Sequence, residues 1–69
     1  MHTNIQPMSI GQVIREIRVA RKATLEEIAF AADTNASNLS RIERGLYSPG
    51  IDILLRIADA LDMELDFVE

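Results

Sequence analysis

Apolar residues recur three and four positions apart along four stretches of this chain, which is the spacing of one face of an α-helix. The predicted helices span about 10–22, 25–32, 36–44 and 51–61. The positions that set this spacing are Ile10, Ile14 and Ile17 in the first helix, Ile28, Ala29 and Ala32 in the second, Leu39 and Ile42 in the third, and Ile51, Leu54, Leu55, Ala58 and Leu61 in the fourth. The pattern predicts an all-α fold.

Residues that cap helices stand where these helices begin and end. Two starts carry the capping-box pattern, in which a Ser or Thr is followed three positions later by Glu or Gln. A glycine that follows the third helix is typical of a helix C-terminus. The signals are Ser9 with Gln12, Thr24 with Glu27, Asn35, and Gly45.

The two ends of the chain do not share the helical spacing of its middle. Residues 1–8, which include Pro7, are predicted to be a flexible arm, and 9–69 to be one domain. After the fourth helix, Met63, Leu65 and Phe67 alternate with acidic residues, which favours a short strand. A single helical turn is the alternative, and it would place Leu65 beside Val68.

Composition narrows the class of protein. Sixty-nine residues allow one domain with a small core, which dimerisation would help to stabilise. The net charge of −4 disfavours a polyanionic partner, but its distribution matters. Residues 1–50 hold six basic and five acidic side chains, a sum of +1, whereas residues 51–69 hold one basic and six acidic, a sum of −5. The acidity therefore belongs to the C-terminal quarter.

The sequence does not support an enzyme, a metal or cofactor protein, or a membrane protein. The sequence offers no nucleophile–base pair, metal-ligand cluster or phosphate-binding loop, so we expect no enzyme, no metal and no cofactor. His2 stands alone near the N-terminus, and there is no cysteine. Neither a signal peptide nor a membrane-spanning run is visible, which predicts a cytoplasmic protein without a membrane partner.

Helices two and three, joined by a three-residue turn, have the spacing of a helix-turn-helix. Counting from Leu25, the apolar residues Ile28, Ala32, Leu39 and Ile42 fall at positions 4, 8, 15 and 18 of twenty, and Ala29 falls at position 5. With IGQVIREIR, TLEEIA, SNLSRIERG and SPGIDILLRIADAL, the chain resembles the Cro/C1-type (xenobiotic-response-element-like) helix-turn-helix family over about residues 9–66. The resemblance implies a four- to five-helix, lambda-repressor-like DNA-binding domain, with a short C-terminal strand or helical turn used for dimerisation.

The resemblance also implies roles for individual residues. Those implied to contact DNA bases lie on the outer face of the third helix: Ala36, Ser37, Asn38, Ser40 and Arg41. Phosphate contacts are implied for Thr24, Arg44, Tyr47 and Ser48, and a structural ion pair for Arg18 and Glu43. Dimerisation is expected at Met63, Leu65, Phe67 and Val68, since no later residue covers these apolar groups.

Five positions depart from the family pattern. Leu25 stands where glutamine often contacts phosphate, and the loop at Leu46-Tyr47 is uncharged where the family is commonly basic. Asp33 replaces the usual turn glycine, and Gly50 replaces a serine cap. Asp enters the left-handed region more readily than most residues, so the turn is expected to survive.

Two hypotheses follow. In the leading one, a homodimer binds a pseudo-palindromic double-stranded DNA operator and represses transcription, in a phage, restriction–modification or toxin–antitoxin setting. In the alternative, the chain is an antitoxin-like or adaptor module that contacts a protein, such as a toxin-like partner, and binds DNA weakly or not at all. The net charge, Leu25 and the uncharged loop favour the alternative. Steep salt dependence of DNA binding would distinguish the two.

Overall fold

The computed structural model describes residues 9–63 of the chain. Within that range the chain forms four helices: α1 (Ile10–Ala20), α2 (Leu25–Ala31), α3 (Ala36–Glu43) and α4 (Ile51–Ala60). The all-α prediction is confirmed, and each predicted helix begins at the observed residue and ends one or two residues later than the observed end. Residues 9–63 contain no strand, and none of their helices is long and apolar enough to cross a membrane. The arm at 1–8 and the tail beyond residue 63 lie outside the described residues.

The first two helices begin with the capping boxes that the sequence predicts. The Ser9 hydroxyl accepts the Gln12 N–H at 3.2 Å, while the Gln12 side-chain oxygen accepts the Ser9 N–H at 3.0 Å. Thr24 and Glu27 repeat the exchange at 3.0 Å and 2.8 Å. At the start of α4, Gly50 provides no side-chain hydrogen bond. These caps fix the starts of α1 and α2 with bonds inside one turn of chain.

All four helices end in the same way, with a residue in the left-handed conformation just past the cap. In α1 the Ala23 N–H donates to the Arg18 carbonyl at 3.1 Å, and the Lys22 N–H donates to the Val19 carbonyl at 2.9 Å. These two bonds define a Schellman motif, which satisfies carbonyls left free at a helix end. The motif closes α1 at Ala20, before the predicted end. The left-handed residues are Lys22 (φ 58°), Asp33 (60°), Gly45 (76°) and Asp62 (56°).

The core lies where α2 meets α3 and α4, with α1 packed on α3. Its buried apolar residues are Ile14, Ile28, Ala29, Ala32, Leu39, Ile42, Ile57, Ala58 and Leu61. Every apolar position of the helix-turn-helix spacing is therefore buried, as predicted. Three residues that the helical pattern placed on the inner face are exposed instead: Ile10, Ile51 and Leu55. They lie near helix starts or on the flank of a helix, where no neighbouring helix covers them.

Gly11 sets the distance between α1 and α3. It is buried in the first turn of α1, against the backbone of Ile42. A Cβ at this position would collide with the Ile42 carbonyl oxygen and lie 3.0 Å from the Glu43 carbonyl oxygen. Only glycine therefore allows the two helices to approach this closely.

Arg56 ties α4 to the end of α2. Its Nε donates to the carbonyl oxygen of Ala32 at 2.9 Å. Carbonyls in the last turn of a helix have no partner within the helix, so a side chain from a neighbouring helix stabilises them. This bond holds α4 beside the helix-turn-helix.

Candidate nucleic-acid interface

The third helix has one buried face and one open face. Leu39 and Ile42 hold the inner face in the core with almost no exposure. On the outer face Ser37 and Arg41 are exposed, and Ser40 is half-buried. The helix thus presents hydroxyl and guanidinium groups outward from a rigid base, which is the arrangement needed to read base edges in a major groove.

Asn38, predicted to contact a base, also has a role in the turn before α3. Its backbone N–H donates to the Asn35 side-chain oxygen at 2.7 Å, and its side-chain amide donates to the Thr34 hydroxyl at 2.9 Å. The half-buried side chain therefore links the helix start to the turn. One amide hydrogen and the amide oxygen of Asn38 remain for a ligand, fewer than a free amide would offer.

The start of α2 carries negative charge beside Thr24. Glu26 and Glu27 both lie in the first turn and are exposed, and the Thr24 N–H is already used by the Glu27 carboxylate. Carboxylates here stabilise the helix dipole, but they also repel a phosphate. Leu25 is half-buried and packs against the core. The predicted phosphate contact at Thr24 therefore meets an unfavourable local charge.

Arg18 and Glu43 form a two-pronged ion pair between α1 and α3. Arg18 Nε donates to Glu43 Oε2 at 2.7 Å, and its Nη2 donates to Oε1 at 3.0 Å. Nη1 donates to the Ala23 carbonyl at 2.9 Å. The side chains are 12% and 3% exposed, respectively. The hydrogen bond from Glu43 raises the pKa of Arg18 above its usual value, so the guanidinium is charged throughout the accessible pH range.

A shallow groove runs between the start of α1 and the end of α3. It is lined by Ser9, Gln12, Arg15, Glu16, Glu43 and Arg44. Arg44 is the C-cap of α3 and is exposed, and Arg15 adds a second exposed cation to the same groove. Sequence reasoning gave no role to Arg15. The signal that could have indicated a role is its position one turn before Arg18, which the resemblance assigns to the α1–α3 ion pair.

The remaining predicted site residues lie after α3. Tyr47 and Ser48 are exposed in the loop between α3 and α4. Met63 is partly buried and packs against the core of its own chain, so only part of its surface is open to a partner. The predicted dimerisation residues Leu65, Phe67 and Val68 fall outside the described residues. Between residues 9 and 63 no group of three or more His, Cys, Asp or Glu side chains is placed to hold a metal ion.

Comparisons with known proteins agree with this geometry. The helix-turn-helix family model matches residues 14–68. The immunity repressor protein of Bacillus phage phi105 is 36% identical over 61 residues, covering 88% of this chain and 42% of the repressor. Control protein C.BamHI of Bacillus amyloliquefaciens is 33% identical over 70 residues, covering 94% of this chain and 86% of that protein.

A solved structure shows the same fold. The crystal structure of the restriction-modification controller protein C.AhdI from Aeromonas hydrophila has a TM-score of 0.75 and 35% identity, and the match covers 78% of each chain. Four curated relatives are much longer proteins, of which this chain spans 29–53%. The family model matches most of the chain, the apolar positions of the helix-turn-helix are buried, and the outer face of α3 is open. This chain therefore belongs to the Cro/C1-type helix-turn-helix family of DNA-binding transcriptional regulators.

Proposed function

We propose that this protein binds double-stranded DNA sequence-specifically as a homodimer, and that it represses transcription from a pseudo-palindromic operator in the cytoplasm. The observation that carries the proposal is the outer face of α3, where exposed Ser37 and Arg41 stand on a helix whose inner face is buried. The names of two relatives, an immunity repressor and a control protein, support repression or autoregulation as the role. They fit a phage or a restriction–modification setting.

Two copies are proposed because one recognition helix reads too few base pairs. Two such helices, related by a two-fold axis and about 34–36 Å apart, reach successive major grooves on one side of the duplex. Met63 and the tail residues Leu65, Phe67 and Val68 are proposed to contribute to the contact between the copies. The acidic tail would then lie away from the DNA, which would keep most of the negative charge off the phosphates.

The proposed contact between Arg41 and a base makes the first prediction. Arg41 is exposed on the outer face of α3, and an arginine grips guanine O6 and N7 with two hydrogen bonds. Arg41→Ala is expected to weaken binding to the selected site by about 1–3 kcal/mol and to relax one position of the consensus. Site selection and fluorescence anisotropy measure both effects.

Arg21→Ala, which removes the same charge from the end of α1, is the control and is expected to leave the consensus intact. Unchanged affinity and consensus for Arg41→Ala would contradict the assignment.

The proposed phosphate contact at Arg44 makes the second prediction. Arg44 lies at the end of α3 in the groove that also holds Arg15. Arg44→Ala is expected to weaken binding to all sequences about equally and to reduce the slope of log affinity against log salt by roughly one unit. Arg44→Lys keeps the charge and is expected to retain the slope. An effect of Arg44→Ala that differs strongly between sequences would show instead that this arginine reads bases.

A second candidate function is a protein-interaction module, antitoxin-like or adaptor, with a toxin-like partner. Two features favour it: the carboxylates of Glu26 and Glu27 at the start of α2, and Leu25, an apolar residue that packs against the core and offers no polar group at that helix end. The salt dependence of DNA binding separates the two functions. A steep linear fall of log affinity with log salt supports the DNA-binding regulator, and the absence of measurable DNA binding at low salt supports the module.

A further inference from the structure

The side chain of Asn38 is held in place by the turn before α3. Its amide nitrogen donates a hydrogen bond of 2.9 Å to the hydroxyl of Thr34, four positions earlier in the chain. Its amide oxygen accepts no hydrogen bond from residues 9–63, and no buried side-chain oxygen or nitrogen in that range lacks a partner, so this oxygen is open to solvent. One end of the amide is thus fixed by the protein, while the other end is exposed.

The Thr34 hydroxyl is itself held in a fixed position. The Thr34 N–H donates to the carbonyl of buried Ala29 at 2.8 Å, in the Schellman motif that closes α2. Threonine is branched at Cβ, which restricts the rotation of its side chain. The backbone of Asn38 is also fixed, because its N–H donates to the Asn35 side chain at 2.7 Å. The turn therefore orients the Asn38 amide in the absence of DNA.

In this orientation the amide offers one hydrogen-bond donor beside one acceptor. An asparagine amide has two N–H hydrogens and one oxygen, and Thr34 uses one of the hydrogens. Adenine is the base whose major-groove edge carries the complementary pair, the N7 acceptor beside the N6 donor. Guanine presents two acceptors, N7 and O6, so the amide oxygen would face another oxygen or nitrogen acceptor. Cytosine and thymine each present a single polar group there. The amide therefore matches adenine better than the other three bases.

We propose that Thr34 is a positioning residue that orients the Asn38 amide to bind an adenine in each half-site of the operator. Asn38 lies in the N-terminal part of α3, where a recognition helix contacts base edges. The inference rests on the proposed function. It adds the base that Asn38 reads and the residue that orients it.

The position of Arg41 places this adenine relative to the guanine proposed above. Arg41 lies three residues after Asn38 on α3, a rise of about 4.5 Å along the helix. Successive base pairs are about 3.4 Å apart along the duplex. The adenine and the guanine are therefore expected within about two base pairs of each other.

Site selection with the full chain, followed by affinity measurements on the selected site, tests the inference. Asn38→Ala identifies the position that Asn38 reads, where the preference for an A·T pair is expected to fall by at least about fivefold. Fluorescence anisotropy then gives the Kd for duplexes that carry each of the four base pairs at that position. Thr34→Val removes the hydroxyl, nearly keeps the volume, and is expected to reduce the same preference by about three- to tenfold. Thr34→Ser keeps the hydroxyl and is the matched control, expected to retain the preference.

A double-mutant cycle separates positioning from a purely structural role. If Thr34 acts through Asn38, Thr34→Val has no further effect on base preference in a protein that already carries Asn38→Ala. Loss of a structural contact would instead weaken binding to all four duplexes equally. Thr34→Ala is a second variant without the hydroxyl, and thermal unfolding establishes that each variant is folded.

The outcomes separate the inference from the proposed function. A wild type that selects no sequence contradicts the proposed function and the inference with it. With a clear wild-type consensus, the inference alone is contradicted if Asn38→Ala leaves every position unchanged, or if the base pair preferred through Asn38 is not A·T. It is also contradicted if Thr34→Val and Thr34→Ala weaken binding without changing base preference. A preference for A·T that Asn38→Ala and Thr34→Val both reduce, and that Thr34→Ser retains, supports it.

Discussion

Replacing Glu43 with alanine is expected to cost about 3–5 kcal/mol of folding free energy, because it leaves the charge of Arg18 without its partner. Arg18 donates two hydrogen bonds to Glu43 and one to the Ala23 carbonyl, and its side chain is only 12% exposed. A small domain has about 5–15 kcal/mol of stability in total, so the loss approaches unfolding at physiological temperature. Urea denaturation followed by circular dichroism measures it.

Two controls separate the ion pair from the loss of a carboxylate as such. Glu16→Ala removes an exposed carboxylate from α1 and is expected to change stability by less than about 0.5 kcal/mol. The double replacement Arg18→Met with Glu43→Leu is expected to recover much of the loss, since apolar groups of similar size often replace a buried ion pair without cost. A Glu43→Ala protein within about 1 kcal/mol of the wild type would contradict the buried pair.

Replacing Gly11 with alanine is expected to destabilise the domain by about 3 kcal/mol, the upper end of the range for overpacking. The added methyl group meets the Ile42 carbonyl, and backbone yields less readily than the end of a side chain. Helix propensity alone predicts the opposite sign, because alanine within a helix is favoured over glycine by about 0.5–1 kcal/mol. The same denaturation experiment therefore distinguishes a close contact between α1 and α3 from an ordinary helix position.

Gly50→Ser is the matched control for the Gly11→Ala experiment. A Cβ at Gly50 meets no atom within 4 Å, and serine is a better N-cap than glycine by a few tenths of a kcal/mol. We expect this variant to be unchanged or slightly more stable. A Gly11→Ala protein that is as stable as the wild type would show that α1 is displaced from α3 without cost.

Features that depend on a few neighbouring residues were predictable from the sequence. The capping boxes at Ser9 and Thr24 are confirmed because each needs only the residue three positions later. Asp33 adopts the left-handed conformation that its place in the turn predicted. The burial of Leu39 and Ile42 follows from helical periodicity, which predicts the buried residues of a helix that packs through one face.

Features that depend on contacts between helices were not predictable. Gly11 reads as a weak helix residue, and nothing near it in sequence indicates that Ile42 lies against it. Lys22 takes a left-handed conformation that its residue type does not favour, so α1 was predicted two residues too long. The bond from Arg56 to the Ala32 carbonyl joins residues 24 positions apart, beyond any local signal.

In the candidate interface, too, local features were predictable and contacts that depend on the tertiary fold were not. The outward position of Arg41 followed from the helical period, but the link from Asn38 to Thr34 depends on how the turn folds. The carboxylates around Thr24 were predictable, because Glu26 and Glu27 follow it within three residues and Glu27 completes its capping box. Local periodicity assigns a face to a side chain, whereas the partners of that side chain depend on tertiary structure.

Selection of bound sites from random double-stranded DNA, carried out with the purified 69-residue protein, tests the central claim most directly. We predict enrichment of sites with two inverted half-sites, their centres about 10–10.5 base pairs apart or a multiple of that, because two copies of α3 must enter major grooves on one side of the duplex. Enrichment of no sequence over the starting pool, at salt low enough to preserve phosphate contacts, would contradict sequence-specific binding.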